Sequence, residues 1–593
     1  MEIKQRSEIQ RQYKWRIEDL YALEEGWQFD YDVLSARENE LDKYRGRLGD
    51  ASVLLECLRV KDELEEAMER LFVYANMRLH EDSRVSEYQG MADKAGNLLS
   101  KLSASAAFIE PEILALPDSR IKNMAKPGLE VYRHYLDNLA RLKAHVLSPE
   151  MEELLARSYE IAEAPQNAYS MLNNADMKFA VIKDEYGKEV QITHGRYISL
   201  MESANRDVRR ETFNAFYAEY IKMKNTIAAL YNASVKKDIF FAKAHKFSSS
   251  IEASLAENNI PVQVYTNLIK VTEEFLPDMH RYVRLRKKIL NLPELHMYDL
   301  YTPLVPEADT KVTYEDAKAT VLQALTPMGA EYTRVVKSGF NSGWIDVYEN
   351  EGKRSGAYSW GAYGRHPYVL MNFDNKLNDM FTIAHEMGHA MHSYYSWDAQ
   401  PYVYSGHTIF TAEVASTVNE ALLTEHLLKV TADDIQRRYI INHFIEQFRS
   451  TVFRQTMFAE FEMLAHQMAE QGEPLTVSSL CELYRGLNEK YYGGGIILDS
   501  QIDFEWARIP HFYNAFYVYQ YATGFSAAVA LSRRILREGA AAVDDYVNFL
   551  RCGSSEYSID QLKKAGVDMS ASTTVRQALS VFRGLIDKLE AAG

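Results

Sequence analysis

The sequence predicts a mainly α-helical protein with a small β-sheet. Apolar residues recur at three- and four-residue spacing between charges over long stretches. Only 15 prolines in 593 residues leave those stretches free to stay helical. Segments that alternate apolar and polar residues are few and short. Apolar residues make up 47% of the chain and charged residues 25%, ordinary for a globular protein, and the length allows a large core with more than one lobe.

Residues 1–175 read as helix after helix. "ELDKYRGRLGDASVLLECLRVKDELEEAMERLFVYANMRLHEDS" shows the helical period plainly. "KFAVIKDEYGKEVQIT" (178–193) alternates and breaks at Tyr186-Gly187, which predicts a β-hairpin. Helices resume from about Gly195 to Lys288, "MYDLYTPL" (297–304) reads as extended, and "YEDAKATVLQALTPM" is helical again. "RSGAYSWGAYGRHPYVLMNFDN" (354–375) carries the glycines of loops and a short strand, Pro367–Phe373. "LNDMFTIAHEMGHAMHSYY" (377–395) is a helix with Asn378 placed to cap it, and a further helix covers about Thr411–Lys429. The remainder is helical except at "YYGGGIILDS" (491–500) and "EWARIPHFYNAF" (505–516). No Pro/Ser-rich linker separates any of this.

Composition narrows the function. A formal charge of −16 argues against a nucleic-acid footprint, which would need basic stripes. No apolar run approaches the length of a membrane span, and the opening "MEIKQRSEIQRQYKWR" lacks the apolar core of a secretory signal. Cys57, Cys481 and Cys552 are too scattered for a disulfide framework, so a reducing cytoplasm is expected. Nine of the sixteen histidines lie between His366 and His511, which points to a site in the C-terminal half.

His385, Glu386 and His389 form H-E-x-x-H. Four residues is just over one helical turn, so both imidazoles leave one face about 6 Å apart along the axis and can reach one Zn²⁺. Glu386 is rotated about 100° away, where it can touch water on the ion rather than ligate it. His392 shares the face but sits about 10 Å along the axis from His385, which makes it a supporting residue. Residue 395 is Tyr, so the third histidine of the metzincin pattern is missing. The third ligand should be a carboxylate from a neighbouring element. "TAEVASTVNEALLTEH" offers Glu413, Glu420 and Glu425 on a helix otherwise lined with Ala, Val and Leu. Glu413 as ligand and Glu420 as partner of a ligand imidazole is the preferred arrangement, with a buried ion pair the alternative for either.

"HPYVLMNFDNKLNDMFTIAHEMGHAMHSYYS" followed by "FTAEVASTVNE", together with "WARIPHFYNAFYVYQYATGFSAA" (506–528) and the opening "YKWRIEDLYA", resembles the oligoendopeptidase F type of the thimet oligopeptidase family, zinc metallopeptidases of the gluzincin type. The likeness runs over nearly the whole chain. It implies a large helical fold of two lobes flanking a deep channel with zinc on its floor, one zinc per chain, and short peptides as substrates. It implies His385, His389 and Glu413 as the zinc ligands, Glu386 as the catalytic glutamate, and a His and tyrosines of the 511–521 segment as stabilisers of the tetrahedral intermediate. His511 and Tyr519 are favoured for that task, with Tyr513, Tyr517 and Tyr521 as substrate-binding residues. Residues 1–200 are expected to form an N-terminal helical lobe and 201–593 the catalytic region. The expected reaction is attack by a zinc-activated water on an internal peptide bond, with Glu386 passing the proton. The other readings are a zinc carboxypeptidase or dipeptidyl carboxypeptidase on the same fold, and a non-catalytic peptide-binding scaffold. "HPYVLMNF" is either an exposed edge that pairs with substrate or an internal strand. "YYGGGI" is either a mobile loop or a plain connector.

Overall fold

The computed structural model describes residues 3–124, 126–305 and 311–591. It is mainly helical and divides into two compact units. The first is built from Met1–Val146, Thr310–His426 and Leu531–Val567, the second from Leu147–Asp309, Leu427–Ala530 and Asp568–Gly593. Each unit is assembled from three separate stretches, so a cut at residue 200 falls within a helix of the second, His194–Met201.

The first unit is organised by helix α1 (Ala51–Glu81), which packs along α2 (Ser86–Ala106). Asp50 starts α1 by accepting from the N–H groups of Ser52 and Val53, which otherwise lack intrahelical partners. The buried face of α1 joins Trp15, Trp27 and Leu98 in one core that also takes in Tyr368 and Leu370. Remote pairings explain why residues near 350 fold with residues near 10. The Arg16 N–H donates to Gly343 O (2.6 Å) and the Val347 N–H to Tyr13 O (2.9 Å). Asp346, 1% exposed, lies 2.7 Å from both Arg6 and Lys353. A buried carboxylate needs such partners to be tolerated.

The same unit holds a three-stranded sheet of β3 (Ile345–Asp346), β4 (Tyr358–Trp360) and β5 (Tyr368–Leu370), in the order β3-β5-β4. β5 pairs parallel with β3 (Ile345 opposite Val369) and antiparallel with β4 (Ser359 opposite Val369). "HPYVLMNF" is therefore an internal strand, with all three of its sheet residues buried, and the edge reading does not hold for it. After β5 comes α3 (Leu377–Ala399). Lys376 occupies its cap position, not Asn378. The Asp379 carboxylate reaches back to accept from the N–H groups of Lys376 (2.9 Å) and Asp374 (2.8 Å), which fixes the cap two residues earlier than expected. Helix α4 (Ile409–Val430) follows.

In the second unit the hairpin of β1 (Val181–Lys183) and β2 (Glu189–Gln191) forms as the alternation predicts, Ile182 opposite Val190. Its turn uses Gly187 at φ 78, and Asp184 Oδ1 accepts from Tyr186 and Lys188. Residues 297–304 are not extended. Met297–Asp299 is a 3₁₀ turn, closed by Asp299 accepting from the His296 N–H while it pairs with Arg206 and Arg209. Helix α5 (Arg454–Glu470) buries Phe458, Phe461, Glu462 and His466, and α6 (Tyr519–Glu538) begins here. Helix α7 (Ala540–Arg551) belongs to the first unit, packed on α3. Among the described residues no helix is long and apolar enough to cross a membrane.

Candidate metal centre

Helices α3 and α4 come unusually close. A Cβ at Gly388 would lie 2.5 Å from Ala415 O, so only glycine fits between the two histidines of the motif. Asn419 on α4 locks the contact, donating to Ala384 O (3.1 Å) while accepting from the Tyr332 hydroxyl (2.9 Å). The approach brings Glu413 to the histidine face of α3.

The result is a triangle of donors. Nε2 of His385 and Nε2 of His389 are 3.1 Å apart, and Glu413 Oε2 lies 3.3 Å from the first and 3.4 Å from the second. A tetrahedral zinc site with bonds of 2.0–2.1 Å has ligand-to-ligand edges of about 3.3–3.4 Å. The three side chains fit such an ion, and among the described residues they are the group of this kind whose atoms converge. With three protein donors, a fourth position is left for water or substrate.

Electrostatics agree with the geometry. Burial opposes a charge on His385, but hydrogen bonds to Glu413 and Glu420 outweigh it and hold its pKa up at about 10. Burial would raise Glu413, yet the two imidazoles hold it far below the usual carboxylate range. The pocket demands positive charge, as a proton or as a metal ion. Glu420 Oε1 sits 2.6 Å from Nδ1 of His385, which fixes that ring with Nε2 facing the triangle. Ser416 Oγ donates to Glu413 Oε2 (3.0 Å). Glu425 stands apart, 3.6 Å from Arg533.

Glu386 is 6% exposed, and its Oε2 is buried without a partner among the described residues. Burial raises its pKa, partly countered by His385 and His389. A carboxylate with one unsatisfied oxygen and an upward-shifted pKa suits proton transfer. His392 is 1% exposed, stacks on His407 (4.1 Å between centroids) and lies 5.4 Å from Phe549 of α7. Burial keeps it neutral, which suits a packing role behind the ligands. His407, Asn419 and Gly388 were not singled out by the spacing argument. His407 is held down at about 4, by burial and then by His389, and its one sequence signal is its place six residues before Glu413.

The 511–521 segment, in the second unit, sorts into two pairs of tyrosines. Tyr517 stacks on His511 (5.9 Å, 19°), and Tyr521 meets the same ring edge-on with its hydroxyl 3.5 Å from Nε2. Partial desolvation and the charge of Arg454 hold His511 below its ordinary value, so the ring is neutral near pH 7. Tyr513 instead stacks on Tyr169 (4.3 Å), and Tyr519, 3% exposed, packs against Tyr265 (5.0 Å). The structure thus groups Tyr517 and Tyr521, rather than Tyr519, with His511.

A helix-borne H-E-x-x-H motif completed by a glutamate from the adjoining helix, on a mainly helical fold, marks the chain as a metallopeptidase. Comparison with known proteins gives the family. The profile of peptidase family M3 matches residues 199–581 and that of oligopeptidase F residues 112–179. The chain belongs to peptidase family M3 and is a metalloendopeptidase of the oligoendopeptidase F kind. It is 49% identical to oligopeptidase PepF of Bacillus subtilis, over 99% of this chain and 88% of that one. A solved structure from Chlamydophila abortus superposes with a TM-score of 0.93 at 35% identity, covering all of both chains. The structure of oligoendopeptidase-F from Enterococcus faecium does so with a TM-score of 0.75 at 39% identity, covering 96% of this chain and 99% of that one.

Proposed function

We propose that the chain is a zinc-dependent oligoendopeptidase that hydrolyses internal bonds of short, unfolded peptides in the cytoplasm. The observation that carries this reading is the donor triangle of His385, His389 and Glu413 beside Glu386, whose Oε2 has no partner among the described residues. The names of its relatives support the substrate class, and three unpaired cysteines are in keeping with a reducing compartment.

His385, His389 and Glu413 would hold the ion, with Glu420 setting the tautomer of His385. Zinc bound there would polarise the scissile carbonyl and lower the pKa of water towards 7. Glu386 takes a proton from the attacking water at Oε2 and returns it to the leaving amine, a task its raised pKa suits. To His511, Tyr517 and Tyr521 we assign substrate binding and stabilisation of the oxyanion. The imidazole N–H and the phenolic O–H groups are donors of the kind that step requires. Tyr513 and Tyr519 then serve by packing.

The test uses a fluorogenic peptide blocked at both ends and cleavable only internally. The parent protein should cut it, whereas a carboxypeptidase or a binding scaffold would not. Glu386→Gln should retain its metal and lose about 10²–10⁴-fold in turnover. Undiminished turnover in that variant would remove the proposed mechanism.

A further inference from the structure

The reaction as described makes no use of one buried carboxyl group in the second unit. Glu462, on α5, is 0% exposed. Its Oε1 accepts the backbone N–H of Phe516 at 3.1 Å, and its Oε2 is buried without a partner among the described residues. A carboxyl group so placed is expensive to bury, and an apolar residue of similar size would fill the space at less cost. Its partner is equally unusual. Phe516 has φ 58, in the left-handed region that an aromatic residue rarely adopts. Strain of this kind persists only where surrounding contacts enforce it, and it concentrates at functional sites.

Those contacts can be named. The Phe516 ring, 2% exposed, packs against His466 (4.6 Å) and Tyr265 (5.8 Å). The carbonyl of Ala515 accepts from Ser254 Oγ (3.1 Å). His466 is itself fixed, with Nδ1 2.8 Å from Glu462 O and Nε2 3.3 Å from Asp238. The turn therefore has three separate anchors: the Glu462 carboxyl group on its N–H, Ser254 on its carbonyl, and an aromatic seat for its side chain. Next in the chain comes Tyr517, which stacks on His511, and five residues after Phe516 comes Tyr521, whose hydroxyl meets His511 Nε2. The left-handed residue stands between His511 and the two tyrosines grouped with it.

We infer that Glu462 is a positioning residue: by holding the Phe516 N–H it fixes the left-handed turn that sets Tyr517 and Tyr521 against His511. This rests on the reading of the His511 cluster given under the proposed function. Burial raises the Glu462 carboxyl well above its ordinary value. A neutral acceptor is therefore sufficient, and Gln should replace Glu where Ala cannot.

The test measures kcat, KM, metal content and thermal midpoint for Glu462→Ala, Glu462→Gln, His511→Ala and Tyr521→Phe, and for Glu462→Ala combined with His511→Ala. Glu462→Ala should lower kcat/KM about 10–100-fold at unchanged metal content, the range for a misplaced catalytic contact. Glu462→Gln should recover most of that loss. Because both residues act through one cluster, adding Glu462→Ala to His511→Ala should lower activity little further, whereas a merely structural defect would multiply through. Should Glu462→Ala fail to fold, Phe516→Gly takes its place. It accepts φ 58 without strain but gives up the ring anchor, and the same fall, again non-additive with His511→Ala, is expected. Parent activity in a folded Glu462→Ala, a fully multiplicative double variant, or Gln no better than Ala would each overturn the inference. Unchanged activity in both His511→Ala and Tyr521→Phe would instead remove the role of the cluster, and the inference with it.

Discussion

The contact between α3 and α4 can be tested at one atom. In Gly388→Ala the new Cβ would sit 2.5 Å from Ala415 O and 2.5 Å from Ser416 Cα. Both are backbone atoms, so no change of rotamer relieves the clash. Ordinary contact begins at 3.4 Å, so the two helices must part locally by roughly 1 Å. Glu413 rides on α4 only two residues before Ala415, and His385 and His389 flank position 388 on α3. The edges of 3.3 and 3.4 Å that Glu413 makes must therefore open, whereas metal sites tolerate deviations of only about 0.2 Å. Overpacking costs about 1–3 kcal/mol, and Ala gains about 1 kcal/mol over Gly as a helix former, so the net loss of stability is about 0–2 kcal/mol. Metal affinity and turnover should each fall by about 10²-fold. Chelator competition gives the affinity, and urea denaturation of the metal-stripped protein gives the stability. A folded Gly388→Ala that binds metal as tightly as the parent would refute the argument that helix spacing sets the triangle.

Two further outcomes follow from the same site. Glu420→Ala removes the carboxylate 2.6 Å from His385 Nδ1 and should weaken metal binding about 10–100-fold, read by the same chelator competition. In the metal-free protein the folded-state pKa of His385 lies near 10, above the ordinary value of about 6.5. That group then contributes stability which is fully present below about pH 6.5 and is lost as pH rises through about 10. The thermal midpoint of stripped protein should therefore fall more steeply from pH 7 to pH 10 than that of metal-loaded protein, where a metal-bound His385 has no proton to lose. Parallel midpoints would count against a protonated His385.

Local patterns foretold local structure. The four-residue spacing of His385 and His389 on a helix, and the break at Tyr186-Gly187 in a hairpin, both appear in the fold. Spacing alone left Glu413 and Glu420 open because both lie on one face of α4. What separates them is the register of α4 against α3, set by Gly388 and Asn419, and no single-helix pattern encodes it. The inner position of β5 was equally hidden, since its neighbours are strands of two and three residues, too short to show alternation. The division into interleaved units depends on remote pairs such as Arg6 with Asp346, which leave no local trace. The alternating tyrosines after His511 were sorted by a turn at Phe516 whose left-handed backbone no glycine announces.

The packing of His392 against Phe549 sets a timetable for synthesis. The rear of the metal-bearing helix is covered by a residue of α7 that the ribosome adds 157 positions later. At roughly 5–20 residues per second, that delay is about 10–30 s. Until then the helix lacks its backing, so the peptidase centre is completed only after α7 has emerged. A nascent chain stalled before residue 540 would carry the full H-E-x-x-H motif and Glu413 without the support that seats them.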